Sequence, residues 1–237
     1  MQKNQIVKIQ CARIKNDSKE LKEEQIATES SLTLNVDGND RITFSYSAGL
    51  EKELIVGFLI SSGLIENIHD IAEFQMDDTS CKVSLFKGRG RITEKSNQSF
   101  SELNFSKLLE LRNVLLGNQL NHKATRGFHG ALIWISSNDK RFVCEDISRM
   151  NAVDKVLGYC AANEFSFSNC IILVTGRLTS LIVSKGCNVG IPMMASLTVA
   201  TDKGIEIAKK SNTTLIGSLS ENECWLYHEG SAKIKLH

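Results

Sequence analysis

Alternating hydrophobic and polar residues predict strands in the first third of the chain. Leu32, Leu34 and Val36 alternate with polar neighbours, and the same period returns at residues 42–46 after the sequence DGND at residues 37–40. A turn of this composition between two alternating segments predicts a β-hairpin with one buried face. Further strands are expected over residues 8–15 and 82–86, and a helix is expected over residues 51–65.

The polar, glycine-bearing stretch KGRGRITEKSNQSF at residues 87–100 predicts a loop. We expect a helix to begin near Ser101, because Ser99 and Glu102 have the spacing of a capping box and leucines follow at helical intervals. A domain boundary is expected in this loop or near residue 120.

From about residue 124 onward, short apolar runs alternate with amphipathic stretches. This texture predicts an α/β domain built around a largely parallel sheet. The fold class is therefore α/β, in three expected parts. They are a mainly β N-terminal subdomain (1–90), a loop and connecting helix (91–120) and an α/β cofactor-binding domain (121–237).

Composition narrows the functional classes. The 237 residues are 42% hydrophobic and carry 28 Lys+Arg against 27 Asp+Glu, so near-zero net charge gives no reason to expect nucleic acid or an acidic membrane as a partner. No apolar run approaches the ~20 residues of a membrane span. No secretion or organelle signal is visible, and we expect a cytoplasmic protein without a membrane partner.

The seven cysteines form neither a disulfide framework nor a metal-ligand pattern, because their number is odd and no two have Cys-x-x-Cys spacing. Most lie in apolar segments, which predicts buried, reduced thiols. We therefore expect no metal site.

Two segments that border predicted strands could carry chemistry. TRGFHG at residues 125–130 places glycines around His129 at a strand entrance, where the backbone can approach a ligand; the alternative is a turn with an exposed histidine. EDISRMNAVDK at residues 145–155 leads from a strand into a helix, where an anion is favoured. Alternatively, Asp146 or Ser148 caps that helix, with Asp154 and Lys155 on its exposed face.

Two further segments follow predicted strands in the second half of the chain. TGRLTS at residues 175–180 comes after a buried strand, and its arginine and hydroxyls suit a phosphate or carboxylate. Here the alternative is that Arg177 and Asp146 pair inside the fold. GIPMMAS at residues 190–196, followed by Thr198, Thr201 and Asp202, is an ordinary strand-to-helix junction, with Asp202 as the expected cap.

Taken in order, these four segments resemble the formate dehydrogenase accessory proteins, the FdhD-type sulfurtransferases. That family shows Thr-Gly-Gly-x-His, Glu-Asp-Val-Gly-Arg-His-Asn-Ala-Val-Asp-Lys and Gly-Arg-Leu-Thr-Ser-Glu, followed by Gly-Ile-Pro, a serine and a threonine. The earlier Gly57-Phe58-Leu59 with Gly63 is similar to a family helix. The resemblance covers roughly residues 25–228.

The resemblance implies a C-terminal half similar to cytidine deaminases and a role in passing sulfur from a cysteine desulfurase to the cofactor of formate dehydrogenase. The implied ligand is molybdopterin guanine dinucleotide or a GDP-like nucleotide, and a homodimer is implied as an oligomeric state. The implied cofactor-binding residues are Thr125, Gly127, His129, Asp146, Arg149, Asn151, Asp154, Lys155, Thr175, Gly176, Arg177, Thr179, Ser180, Ser196 and Thr201. We expect phosphate near Gly176 and Arg177, and a guanine edge at Asp146 or Asp154.

The chain departs from the family where sulfur is carried. The family holds a Cys-x-x-Cys in the loop that corresponds to residues 87–100, and this loop contains no cysteine. The family's glycine is Arg126, its second histidine is Met150, and its glutamate after Thr-Ser is Leu181. A family Gly-Phe-x-Arg near the C-terminus is replaced by GSLS at residues 217–220.

Three functional hypotheses remain open at this point. The first is a molybdoenzyme accessory protein that binds the cofactor without relaying sulfur and acts as a chaperone, scavenger or regulator. The second is an active sulfurtransferase that uses a different thiol. The third is a non-catalytic module that binds another nucleotide or a protein.

Overall fold

The computed structural model describes residues 4–38, 40–86 and 100–236; the predicted loop at residues 87–100 lies almost wholly outside them. The first part of the chain is rich in strands. Its elements are β1 (Ile6–Lys15), β2 (Ser18–Ala27), β3 (Ser30–Val36), β4 (Asp40–Tyr46), α1 (Glu51–Ser61), a 3-10 turn (Ile68–Asp70), β5 (Ile71–Met76) and β6 (Ser80–Leu85).

The predicted hairpin is confirmed as β3 and β4, which pair antiparallel in a four-stranded sheet of order β4-β3-β6-β5. Leu32, Leu34 and Val36 are buried as their alternation predicted, and the apolar face of this sheet packs against α1. β1 and β2 form a separate antiparallel ribbon, in which Ile6 lies opposite Ala27 and Lys15 opposite Ser18.

The second part of the chain alternates strands and helices. Its elements are β7 (Glu102–Asn104), α2 (Phe105–Gly117), α3 (Leu120–Thr125), β8 (His129–Ile135), β9 (Lys140–Asp146), α4 (Arg149–Ala162), a 3-10 turn (Phe167–Asn169), β10 (Cys170–Val174), α5 (Ser180–Asn188), β11 (Met193–Ser196), α6 (Asp202–Lys210), β12 (Thr214–Gly217), β13 (Trp225–His228) and β14 (Lys233–Lys235).

Six of these strands form one sheet of order β13-β12-β11-β10-β8-β9. The sheet lies between two helical layers, since α4, α5 and α6 share a core with one of its faces and α2 shares a core with the other. The expected α/β class is confirmed. The expectation of a largely parallel sheet is wrong: only β10, β11 and β12 run parallel, because β8–β9 is a hairpin and β13 returns antiparallel beside β12.

Two local predictions about helix starts are corrected. Glu102 lies in β7, which pairs with β14, so the helix begins at Phe105 with Asn104 at its N-cap, whereas Ser99 of the expected capping box lies outside the described residues. The expected cap of α6 at Asp202 is also wrong, because Thr201 occupies the N-cap and its side chain accepts the Gly204 N–H at 3.2 Å.

α1 and α4 cross at an unusually short separation, which joins the β-rich part of the chain to the six-stranded sheet. A Cβ added to Gly57 would lie 1.8 Å from the Asp154 carbonyl oxygen, and one added to Gly158 would lie 1.8 Å from that of Glu53. The two glycines therefore permit backbone contact that any side chain would block. In the described part of the chain, no helix is long and apolar enough to span a membrane.

Candidate functional site

The four candidate segments converge on one edge of the six-stranded sheet. His129 opens β8 opposite Asp146 at the end of β9, while Val174 at the end of β10 lies between Ala131 of β8 and Ser196 of β11. The residues that follow β9, β10 and β11 therefore share this edge with His129. The sequence pattern predicted this convergence from the position of polar residues at strand ends.

Gly130 and Thr175 join two strands at this edge, beside His129. The Gly130 N–H donates to Thr175 Oγ1 at 3.0 Å, and the Thr175 N–H donates to the Gly130 carbonyl oxygen at 3.0 Å. Burial lowers the pKa of the half-buried His129, and the positive charge of Arg149 and the nearby His122 lower it further, whereas Asp146 acts in the opposite direction. His129 is thus favoured as a neutral imidazole that can donate or accept a hydrogen bond.

Arg149, the first residue of α4, lies against Gly176. A Cβ added to Gly176 would be 3.1 Å from Arg149 Cβ and 3.7 Å from His129 Nδ1, so the glycine leaves room where these side chains meet. Arg149 Nε is buried and has no hydrogen-bond partner. Among the residues that the structure describes, no carboxylate forms an ion pair with Arg149. A buried guanidinium donor without an acceptor is costly, and an anionic ligand would satisfy it.

Arg177, Thr179 and Ser180 follow Gly176 in the segment between β10 and the first turn of α5. Arg177 is exposed, and no ion pair joins it to any carboxylate of the described ranges. Thr179 is the N-cap of the nine-residue helix α5, but its side chain makes no capping hydrogen bond. Arg177 therefore lies three residues before the first residue of a helix that has no side-chain cap, and a guanidinium and helix N–H groups are both donors that suit phosphate.

A cleft of about 630 Å³ opens beside His129 and Thr175, and Arg149, Arg177, Thr179 and Ser180 are not among the residues that line it. Its wall combines polar groups from the sheet edge with apolar side chains, contributed by Leu116, Gly117, Gln119, His122, Lys123, His129, Thr175, Leu197 and Thr198. Ser196 stays below the surface, where its hydroxyl donates to the Gly176 carbonyl oxygen at 2.8 Å and accepts the Thr198 N–H at 3.0 Å. Ser196 thus shapes the turns that border the cleft.

Thr125 and Gly127 lie in the turn that leads into β8. The Thr125 hydroxyl donates to the Asn121 carbonyl oxygen at 2.8 Å and accepts the Gly127 N–H at 3.1 Å. Arg126 caps α3 in the left-handed conformation with φ +59°, at the position where the family motif has glycine. His122 and Lys123 of α3 line the cleft, and no motif in the sequence singled them out. They reach it only because α3 lies beside the start of β8, where the His122 ring contacts the Phe128 carbonyl oxygen at 2.7 Å.

Asp146, Lys155 and Asn151 belong to the interior and not to the cleft. Asp146 and Lys155 are fully buried and form an ion pair at 2.7 Å. Asp146 also accepts hydrogen bonds from Ser47, Ser148 and Asn151. All its acceptor positions are used by the protein, so Asp146 fixes the start of α4 and does not face a guanine edge.

Asp154 likewise lies in the core, paired with Lys185 of α5 at 2.7 Å and hydrogen-bonded by Ser61 at 2.8 Å. The alternative that Asp154 and Lys155 lie on an exposed helix face is therefore wrong, and so is the proposed Arg177–Asp146 pair. The reason is that each buried charge finds its partner in another element. Thr201 caps α6 through its own side chain and serves that helix start.

Four of the seven cysteines have a raised pKa. Burial raises the pKa of Cys81 to about 11 and that of Cys144 to about 12. The pKa of Cys160 is raised by its contact with Cys170 and by burial, and that of the partly exposed Cys224 is raised by burial. These thiols are held protonated at neutral pH, which disfavours the thiolate that sulfur transfer needs.

Comparison with known proteins gives a consistent result over nearly the whole chain. The model of the FdhD/NarQ family matches residues 27–102 and 89–234. The sulfur carrier protein FdhD of Sulfurisphaera tokodaii is 31% identical, with coverage of 94% of this chain and 97% of that protein. Protein FdhD of Methanocaldococcus jannaschii is 29% identical, with coverage of 88% and 90%.

Among solved structures, the fold is similar to that of a formate dehydrogenase accessory protein from Desulfotalea psychrophila. The TM-score is 0.82 at 24% identity, and the match covers 95% of this chain and 97% of that one. The mixed six-stranded sheet and the β-rich N-terminal part are therefore a shared architecture.

Proposed function

Because the chain belongs to the FdhD/NarQ family, we propose that it is a formate dehydrogenase accessory protein that binds a phosphate-bearing cofactor and does not relay sulfur. The ligand is molybdopterin guanine dinucleotide or a GDP-like nucleotide. The observation that carries this proposal is the pair of arginines at the sheet edge, Arg149 and Arg177, which lack a carboxylate partner among the described residues.

The donor set fits a diphosphate. Arg149 and Arg177 supply two guanidinium groups, and Thr179 and Ser180 supply hydroxyls at the start of α5. Gly176 is itself buried, and the absence of a side chain there leaves the space beside Arg149 open. Charged hydrogen bonds to phosphate contribute about 1.5–3 kcal/mol each, so two arginines supply a large share of the affinity.

The adjoining cleft suits the ring system of such a ligand. Its apolar side chains are Leu116 and Leu197, and its hydrogen-bonding side chains are those of Gln119, His122, Lys123, His129, Thr175 and Thr198. Clefts of this size and composition commonly hold small molecules. The buried Asp146 and Asp154 support this site indirectly, because they hold the start of α4 and the packing of α4 on α5. When bound, the cofactor would supply molybdenum or tungsten chemistry to the partner enzyme; this chain supplies binding and orientation.

The absence of sulfur relay is supported by the thiols. No cysteine occurs between Cys81 and Cys144 in the sequence, so the loop that carries sulfur in the family has none. Burial raises the pKa of Cys81 and Cys144 themselves, so neither is suited to carry a persulfide.

Isothermal titration calorimetry with GDP tests the binding site. We expect saturable binding, weakened at least about tenfold in Arg177→Ala, since a charged hydrogen bond is lost. Arg41→Ala is the matched control, because Arg41 is an exposed arginine on β4, remote from the sheet edge. No binding of either GDP or the molybdopterin dinucleotide, or equal affinity in Arg177→Ala and Arg41→Ala, would contradict the proposal.

A second candidate function is sulfur transfer through another thiol, which the name of the Sulfurisphaera tokodaii relative favours. Cys11 and Cys187 are partly exposed and are the thiols to examine first. The chain is incubated with a cysteine desulfurase and free cysteine, and intact-mass spectrometry is used to detect one added sulfur atom. We expect an unmodified mass, and a persulfide adduct would favour the second function over the first.

A further inference from the structure

Gln119 is a buried polar residue whose side chain has no partner within the described ranges. It is only 4% exposed, and its amide makes no hydrogen bond with any residue that the structure describes. Buried amides in folded proteins are normally hydrogen-bonded, because an unpaired one lowers the free energy of unfolding. The Gln119 side chain lines the cleft beside His129 and Thr175, so a molecule in that cleft could supply the missing partner.

Helix capping does not account for the Gln119 amide. Gln119 occupies the N-cap of α3, but its side chain makes no capping hydrogen bond. The Glu145 carboxylate serves this helix start instead, since it accepts the N–H groups of Asn121 and His122 at 2.8 Å each. The donor and the acceptor of the Gln119 amide therefore both remain unused by α3.

Gly130 provides the space in which this amide lies. A Cβ added to Gly130 would be 2.9 Å from Gln119 Nε2 and 3.3 Å from its Cδ, so a side chain there would displace the amide. The Gly130 N–H donates to Thr175 Oγ1 at 3.0 Å, and the Thr175 hydroxyl hydrogen has no acceptor among the described residues. The amide of Gln119 and the hydroxyl of Thr175 thus both adjoin Gly130 at the cleft wall.

His122 adds a hydrogen-bond acceptor to the same cleft. Its Nδ1 lies 2.7 Å from the Phe128 carbonyl oxygen, which can only accept, so in the neutral ring Nδ1 carries the proton. Nε2 is then an acceptor, and it has no partner in the part of the chain that the structure describes. Leu116 and Leu197 supply apolar surface against which a flat ring can pack.

These polar groups are complementary to one kind of ring edge. The amide of Gln119 supplies one donor and one acceptor, which suit the adjacent C=O and N–H of a ring lactam. His122 Nε2 suits an amino group on the other side of that N–H. A pyrimidinone ring with an amino group beside its N–H has these three groups in this order. Guanine and pterin both present this aminopyrimidinone edge, whereas adenine lacks the lactam and hypoxanthine lacks the amino group.

We propose that Gln119 is a ligand-binding residue whose amide, together with His122 Nε2, binds the aminopyrimidinone edge of the cofactor. This inference rests on the proposed function, which supplies a ligand that contains such rings. It assigns recognition of a ring to the cleft and recognition of phosphate to Arg149 and Arg177. The cleft then selects the ligand by its ring, which the arginines do not contact.

Calorimetric titration of the full-length chain with GDP and with carboxypterin tests this proposal. Gln119→Leu removes the amide at nearly constant volume and is expected to weaken binding at least about tenfold, because two hydrogen bonds are lost. A loss for GDP identifies guanine as the bound ring, and a loss for carboxypterin alone identifies pterin. Gln75→Leu is the matched control, because Gln75 is an exposed glutamine of β5 in the other sheet, and it should leave both affinities unchanged.

His122→Asn tests the second contact. An asparagine amide nitrogen replaces Nδ1 as the donor to the Phe128 carbonyl oxygen, while the Nε2 acceptor is removed. The variant is expected to weaken the same ligand that Gln119→Leu weakens, by about fivefold, because one hydrogen bond is lost. An unchanged affinity for that ligand would contradict the assignment of His122 Nε2 to the amino group.

Thermal unfolding without ligand separates a binding role of Gln119 from a structural one. Because its amide has no partner in the fold, Gln119→Leu should unfold at the same temperature as the wild type or at a higher one. A lower unfolding temperature would show that the amide stabilises the fold and would contradict the proposal. Unchanged affinities in Gln119→Leu, with GDP binding still weakened by Arg177→Ala, would overturn this inference and leave the proposed function standing. The inference also fails if the wild type binds neither GDP nor carboxypterin.

Discussion

The buried ion pair between Asp154 and Lys185 makes the stability of the protein depend on pH in a way that one substitution exposes. Asp154 is 1% exposed and Lys185 is 8% exposed, and the ammonium group lies 2.7 and 2.8 Å from the two carboxylate oxygens. Burial raises the pKa of Asp154 above its usual value of 3.8, while Lys185 and then Ser61 act in the opposite direction. Lys185→Met keeps much of the apolar stem and removes the charge.

In Lys185→Met, the pKa of Asp154 in the folded state rises further, because the largest opposing influence is gone. A group whose pKa is higher in the folded state gives stability that is fully present below its pKa in the unfolded chain. That stability is lost as pH rises through the folded-state value, at up to about 1.4 kcal/mol per pH unit. The loss relative to wild type should be small near about pH 4 and grow to about 3–5 kcal/mol by about pH 8, the cost of leaving a buried charge unpaired.

Urea unfolding followed by circular dichroism at a series of pH values measures this dependence. Lys209→Met on α6 is the matched control, because Lys209 is exposed and should show no such dependence. The double variant Asp154→Asn with Lys185→Met should lose the pH dependence, because no titrating group remains in the pair. A stability difference for Lys185→Met that is the same at every pH would refute the reasoning.

Two further substitutions test the backbone. Gly57→Ala should lower the free energy of unfolding in urea by at least about 3 kcal/mol, because its Cβ would lie 1.8 Å from the Asp154 carbonyl oxygen. Gly117→Ala is the control, since a Cβ added there meets nothing within 4 Å. Equal free energies of unfolding for the two variants would contradict the prediction. Arg126→Gly should stabilise by about 1 kcal/mol, because φ is +59° there. Arg126→Ala keeps the strain and should give no such gain; a gain as large in Arg126→Ala would show that the conformation is not the cause.

Local patterns predicted much of the fold. The alternation at Leu32, Leu34 and Val36 predicted the hairpin, and the apolar run at residues 170–174 predicted the central strand β10. β2 was not predicted, because its Lys- and Glu-rich sequence has no buried face and is a strand only through its pairing with β1. The direction of the sheet strands also depended on tertiary pairing, which the strand-and-helix alternation alone does not specify.

The candidate site was predicted in outline. His129 at the start of β8 and Thr175 and Gly176 after the end of β10 do lie at one edge of the sheet, because β8 and β10 pair antiparallel. The position of polar residues at strand ends did not distinguish charged side chains at the surface from charged side chains in the interior. Asp154 and Lys155 have charged side chains within a helix and suggest an exposed face, yet their partners Lys185 and Asp146 lie outside that helix. Burial of a charge is decided by those distant partners, which sequence spacing does not reveal.

Asp146 has a consequence for any attempt to shorten the protein. Its carboxylate accepts from the backbone and hydroxyl of Ser47, while Lys155 donates to the Ser47 carbonyl oxygen. A fragment that begins at residue 100 would lack these groups, as well as the Ser61 hydroxyl beside Asp154. In such a fragment, the charged groups of Asp146, Lys155 and Asp154, which are buried in the intact chain, would be exposed to water. The C-terminal half is therefore not an autonomous folding unit, and the full chain should unfold in one cooperative transition.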